Sequence, residues 1–184
     1  MNPMQKLIIF FTLDNSLSDT VKVYLDSVDL KMHLAITDSL EDLNRVLNSG
    51  RVVLTLIDQT LGNEIINSTI EIQKKINNDL PLVIITDKSS QEEAAEMIDK
   101  GADDYITTDN IKRLIPVIRR EIKAYNEVIS GKKARQEVKE LLNIIESAED
   151  EIYILGGDSY RIKFANKKGL ANLGYSMNEL HGIH

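Results

Sequence analysis

The 184-residue chain of 20.8 kDa is long enough to bury a full core without disulfides or metals. Its 22 basic and 29 acidic residues leave a net charge of −7, which argues against a broad nucleic-acid or anionic-membrane surface. Without cysteine, disulfide scaffolds and thiol chemistry are excluded; His33, His181 and His184 are too scattered for a metal site; and no apolar run suits a signal peptide or membrane span, so a cytoplasmic protein is expected.

Leu7-Ile8-Ile9-Phe10-Phe11 reads as a buried strand. Asp14 or Asn15 caps a helix whose Leu17, Val21, Tyr24, Leu25 and Val28 follow the helical period. Residues 31–37 alternate as a half-buried strand, with Met32, Leu34 and Ile36 inward and His33 on the polar side. Asp38-Ser39 opens a second helix, carrying Leu40, Leu43, Val46 and Leu47 inward, and Gly50 ends it. A third strand covers 52–57, and a looser helix covers about residues 64–77. Pro81 precedes a strand over 82–85. Ser90-Gln91-Glu92-Glu93 has capping-box spacing, and its helix stops at Gly101. Residues 105–107 form a fifth strand, after which Asp109 or Asn110 caps the next helix.

Five strand-then-helix repeats imply a (βα)5 doubly wound parallel sheet with helices on both faces. Ligands in such sheets sit beyond the carboxyl ends of the strands. That singles out Thr12, Leu13, Asp14, Asp58, Thr86, Asp87, Thr107 and Thr108.

From Ile111 the helix runs on. Ile115, Ile118, Ile122, Tyr125 and Ile129 recur at coiled-coil spacing, which predicts a parallel homodimer seam even though the first half also has a sheet to cover. Ser130-Gly131 interrupts the seam, and apolar spacing resumes at Val138, Leu141, Leu142 and Ile145. Pro116, inside this helix, predicts a kink. Past Ala148 the pattern changes. Residues 151–155 and 160–164 read as hairpin strands around Gly156-Gly157-Asp158, followed by helical segments at 166–173 and a second capping box, Ser176-Met177-Asn178-Glu179. So short a run of strand, strand and helix cannot bury a sheet, so it reads as the start of a longer domain.

Val53-Leu54-Thr55-Leu56-Ile57-Asp58-Gln59-Thr60-Leu61-Gly62, Pro81-Leu82-Val83-Ile84-Ile85-Thr86 and Gly101-Ala102-Asp103-Asp104-Tyr105-Ile106 resemble the third strand, fourth strand and fifth-strand signature of the receiver domains of two-component signalling. The resemblance covers residues 1–125 and implies a flavodoxin-like receiver fold. It makes Asp58 the candidate phosphoacceptor, Thr86 the switch hydroxyl and Tyr105 the switch aromatic. It also implies a Mg²⁺ held by Asp58 and the Thr60 carbonyl, with in-line phosphoryl transfer from a phosphohistidine or small phosphodonor. Three family positions are not kept. The acidic pair falls on Thr12 and Leu13, and the lysine falls on Thr108. Asp14, one residue beyond the pair, and Asp87 are the substitute oxygens on offer, so Mg²⁺ affinity should be weak and phosphorylation inefficient. Each candidate also has a plainer role: Asp58 as a turn former, Thr86 as a strand-end hydroxyl, Tyr105 as packing, Asp14 as a cap.

Glu151-Ile152-Tyr153-Ile154-Leu155, Ile162-Lys163-Phe164-Ala165-Asn166, Leu173-Gly174-Tyr175-Ser176 and Glu179-Leu180-His181-Gly182 resemble the opening of a PAS sensor domain. The resemblances divide the chain into a receiver-like domain (1–125), a helical linker (126–141) and the N-terminal part of an α+β PAS domain (142–184), as in receiver–PAS sensor histidine kinases. They imply a signalling module that is not an enzyme by itself. It would work through protein contacts with a histidine kinase or phosphotransfer protein and through dimeric helix coupling; the PAS ligand stays open. Two alternatives remain: a working phosphoacceptor at Asp58, and a flavodoxin-like enzyme or nucleotide binder, for which no phosphate-binding glycine loop exists.

Overall fold

Strands β1 (Leu7–Phe11), β2 (His33–Thr37), β3 (Val52–Asp58), β4 (Leu82–Thr86) and β5 (Asp104–Thr107) form one parallel sheet in the order β2-β1-β3-β4-β5. The computed structural model describes residues 5–28, 30–87, 91–156 and 161–182, with backbone alone for 91–95 and 181–182. The chain forms two compact units, residues 1–128 and 129–184.

In the first unit β3 and β4 are buried along their whole length, which is why VVLTLID and LVIIT show no polar alternation. Side chains of one parity (Ile8, Phe10, Leu54, Leu56, Val83, Ile85) meet helices α1 (Asn15–Asp26) and α5 (Leu114–Ser147). The other parity (Ile9, Phe11, Ile57, Leu82, Ile84) meets α2 (Leu40–Leu47), α3 (Asn63–Ile76) and α4 (Gln91–Lys100). Each fully buried aliphatic or phenyl side chain contributes about 1.5–3 kcal/mol, so the two layers together fix the fold. Strand order reverses between β1 and β3, the switch point at which such sheets open a crevice.

Two helix starts follow local chemistry. The Asp14 side chain accepts from Ser16 N and Leu17 N, and Ser39 Oγ accepts from Asp42 N, so these residues are the caps of α1 and α2. Gly101 stops α4 at φ +110°, a backbone conformation that favours glycine; the Lys74 Nζ that a Cβ would meet at 2.6 Å is the end of a flexible side chain and can give way. On the edge strand β2, His33 is exposed as expected, but Ile36 is exposed as well, because only β1 lies beside it. The expected capping box of α4 opens at Ser90, outside the described residues.

α5 departs from the sequence reading in three ways. Residues 108–113 form a 3₁₀ turn broken at Asn110 (φ −119°, ψ 35°), so neither Asp109 nor Asn110 caps the helix, which begins at Leu114. Pro116 is therefore in the first turn, where backbone N–H groups have no intrahelical acceptor, and no kink is required. Ser130-Gly131, where the apolar seam is interrupted, does not break the helix, which runs on to Ser147 because one glycine costs only about 1 kcal/mol. Most importantly, Ile118 and Ile122 are buried, and Ile115 and Tyr125 pack against the core of their own sheet, so this stretch is not a dimer seam. Its apolar period answers to the sheet.

In the second unit β6 (Tyr153–Leu155) pairs antiparallel with β7 (Ile162–Ala165), followed by α6 (Lys167–Leu173) and α7 (Met177–Gly182). Buried Asn166 holds it together. Its Oδ1 accepts from Ile152 N and Gly169 N, both at 3.0 Å; its Nδ2 donates to Ile145 O (3.1 Å) and Asp150 O (2.9 Å). Gly169 is imposed by the Tyr153 ring, which a Cβ would meet at 2.9 Å. Ser176 and Glu179 form a reciprocal capping box, and its donors hold the Glu179 carboxyl below its ordinary range. The expected turn residues Gly157 and Asp158, and Tyr160, where the returning strand was expected to start, lie outside the described residues.

Candidate functional site

β1 and β3 run side by side, with Phe11 opposite Ile57. Thr12, the first residue past β1, therefore stands beside Asp58, the last residue of β3. The Thr12 hydroxyl donates to Asp58 Oδ2 at 2.7 Å, and the backbone N–H of Thr60 donates to Oδ1 at 2.9 Å. Asp58 is only 1% exposed. The Thr12 hydroxyl has a single proton, and it is committed to Asp58. The same Thr12 oxygen accepts from Asp14 N at 2.9 Å, and Asp14 Oδ1 accepts from Ser16 N (2.8 Å) and Leu17 N (3.1 Å). One continuous set of hydrogen bonds thus runs from Asp58 to the start of α1.

The remaining sequence candidates distribute around this corner. Thr86 ends β4 and is buried, one residue past the Asp58–Ile85 pairing of β3 with β4. Tyr105, on β5, is half-buried and packs against the α2–α3–α4 side of the sheet. Leu13 and Asp87 face solvent, as does Thr108 in the 3₁₀ turn. Asp14 is exposed and engaged as a cap, and the Thr60 carbonyl lies in the short 3₁₀ turn that Asp58 opens. Among the described residues no group of three or more His, Asp or Glu could hold a metal ion. The structure brings Asp58, Thr12 and the Thr60 backbone together, and leaves Leu13, Asp87 and Thr108 outside that hydrogen-bonded group.

The Thr12–Asp58 hydrogen bond was not anticipated. The available signal was adjacency: once β1 and β3 are neighbours in a parallel sheet, the residues that end them stand at one height.

No known family profile matches the chain, and no curated protein matches it. Solved structures do. An orphan response regulator of H. pylori is 19% identical, with a TM-score of 0.52 over 64% of this chain and 96% of that one. An atypical orphan response regulator, described as revealing a phosphorylation-independent regulatory mechanism, is 19% identical, with a TM-score of 0.53 over 64% and 95%. NtrX from Brucella abortus, in complex with ADP, is 20% identical, with a TM-score of 0.63 over 79% of this chain and 32% of that one. At these identities the likeness is one of fold, and the first unit has the flavodoxin-like receiver fold, with a long helix after it.

Proposed function

We propose that this chain is a signalling module. A receiver-type domain (1–125) acts mainly through protein contacts, with little or no phosphoryl transfer. A helical linker (126–141) leads to the opening of a PAS-type domain (142–184), as at the N-terminus of a sensor histidine kinase. The observation that carries the reading is the 2.7 Å hydrogen bond from Thr12 to Asp58. An octahedral Mg²⁺ shell needs several oxygen lone pairs. Here each Asp58 oxygen already accepts a hydrogen bond, Leu13 has no side-chain oxygen to give, and the Asp14 side chain caps α1, so the residues present offer the ion few side-chain oxygens and fit it poorly. Without the ion, or a lysine at Thr108, charge developing on a transferring phosphoryl group would go unneutralised. Partners would be a histidine kinase, a phosphotransfer protein, or a second copy of this chain. For the second copy, the seam expected over Ile115 to Ile129 gives way to the exposed stripe Val138, Leu141 and Leu142.

The test is incubation with acetyl phosphate or beryllofluoride plus Mg²⁺, read by intact mass and amide NMR. The expected result is an unmodified wild type and modification of a Thr12→Asp/Leu13→Asp/Thr108→Lys variant. A wild-type adduct abolished by Asp58→Asn would instead support a working phosphoacceptor. One observation favours that alternative: Asp58 and Thr86 close neighbouring strands.

A further inference from the structure

Thr12 makes two hydrogen bonds with one oxygen. Its Oγ1 donates to Asp58 Oδ2 at 2.7 Å and accepts from Asp14 N at 2.9 Å. The backbone of Thr12 is fixed separately, its N–H donating to Thr37 O at the end of β2 at 3.1 Å. What is left to move is the torsion about Cα–Cβ, which has three staggered wells. A turn to another well carries the oxygen away from Asp58 and from Asp14 N together, because both bonds end on the same atom. Thr12 is 4% exposed, so water has little access to replace either partner. Asp14 is also the cap of α1, accepting from Ser16 N and Leu17 N, and Leu13, between the two, is 65% exposed. A buried carboxylate, a hinged hydroxyl and the first turn of a helix are thus linked in series.

We propose that Thr12 is a rotamer relay that couples Asp58 to the corner between β1 and α1. With Asp58 Oδ2 open to it, the hydroxyl bridges the carboxylate and the Asp14 N–H, and the corner is held closed. A cation or a competing donor that takes Oδ2 turns the hydroxyl to another well. Asp14 N–H then loses its acceptor, and the corner that carries Leu13 loosens. The wells are discrete, so the relay has two-state elements that both ends bias. Coupling of this kind is reciprocal: a partner that pulls on the corner uncovers Asp58. The relay leaves β3 on the β1 side, whereas Thr86 and Tyr105 lie on β4 and β5, on its other side. It rests on the signalling reading in taking Asp58 as the input, but its test uses no phosphodonor, so the two can fail separately.

The experiment is NMR of the full chain, reading the Thr12 torsion from vicinal couplings to its methyl carbon and the solvent exchange of the Asp14 N–H. Wild type, Asp58→Ala, Thr12→Val and the double variant form a cycle, with exchange in β4 as the reference for any global loss of stability. Wild type should show a single Thr12 rotamer. Asp58→Ala should spread Thr12 over several wells and speed Asp14 exchange by about fivefold, the worth of one ordinary net hydrogen bond. Asp58→Leu, which fills the space of the carboxylate, should do the same and serves if the alanine variant folds poorly. Thr12→Val should speed exchange at least as much, and adding Asp58→Ala to it should change nothing further. The wild-type rotamer persisting without the carboxylate, unchanged Asp14 exchange, or effects that multiply in the double variant would each overturn the relay.

Discussion

α5 carries two apolar stripes of similar composition and opposite fate. Between Leu114 and Ile122 the large side chains are buried against a five-stranded sheet. Between Val138 and Ile144 they stand 45–65% exposed. The second unit shares the second condition, with Ile154 and Leu155 on β6, Leu173 at the end of α6 and Tyr175 just after it exposed. Hydrophobic spacing marks which face of an element wants cover and says nothing of what supplies it. The first unit supplies its own. In the second, order rests on hydrogen bonding at Asn166 and on the Tyr153–Gly169 contact more than on buried apolar area.

That contrast can be broken by substitution. Ile118→Asp places an unpaired charge in the core and should cost more than about 4 kcal/mol, abolishing cooperative thermal unfolding of the first unit. Leu141→Asp should leave that transition within about 0.5 kcal/mol and act, if anywhere, on sedimentation as a dimer. Equal losses would mean that the two stripes are equivalent after all. In the second unit, Asn166→Ala orphans the Ile152 and Gly169 amides and two carbonyls, and should cost on the order of 2–4 kcal/mol. Hydrogen exchange at those two amides should quicken, while exchange in β3 and β4 stays unchanged.

Within the first unit, Thr12→Val removes a donor from a buried carboxylate and should cost about 1–3 kcal/mol, with Thr12→Ser close to wild type in urea melts. The smallest effect is expected at Asp103, whose carboxyl is pushed above its ordinary value. The main cause is the partial loss of water around the carboxyl, whose residue as a whole stays exposed, opposed by the Leu82 N–H at 2.8 Å; Glu121 adds to the rise and Lys74 opposes it. A carboxyl raised on folding binds protons more tightly in the native state, so its contribution is full below the unfolded value of about 3.9 and declines as pH rises toward the folded one. Asp103→Asn should therefore gain stability above that window and none below it, by no more than about 0.5 kcal/mol because the side chain faces solvent. A variant less stable at neutral pH would show that the bond to Leu82 N dominates.

Much of the first unit was legible in the order of residues. The uninterrupted apolar runs of β3 and β4, the capping residues Asp14 and Ser39 and the stop at Gly101 act within a few positions of themselves, so local physics reveals them. Asp58 was legible as a residue at a strand end, because alternation of strand and helix places it there. Its hydrogen bond to Thr12, 46 positions away, was not, since that contact exists only once β1 and β3 are adjacent. The stripe Ile115, Ile118, Ile122 was visible and was read both as cover for the sheet and as part of a dimer seam; only the first is realised. A sheet and a second helix bury an isoleucine equally well, and both leave the same period in the sequence. Sequence by itself determined the elements, their caps and the faces that need covering, because those follow from forces acting between near neighbours in the chain. Tertiary structure alone decided which surface covers which face and which buried polar atoms find partners, because those depend on distances that folding sets between remote residues.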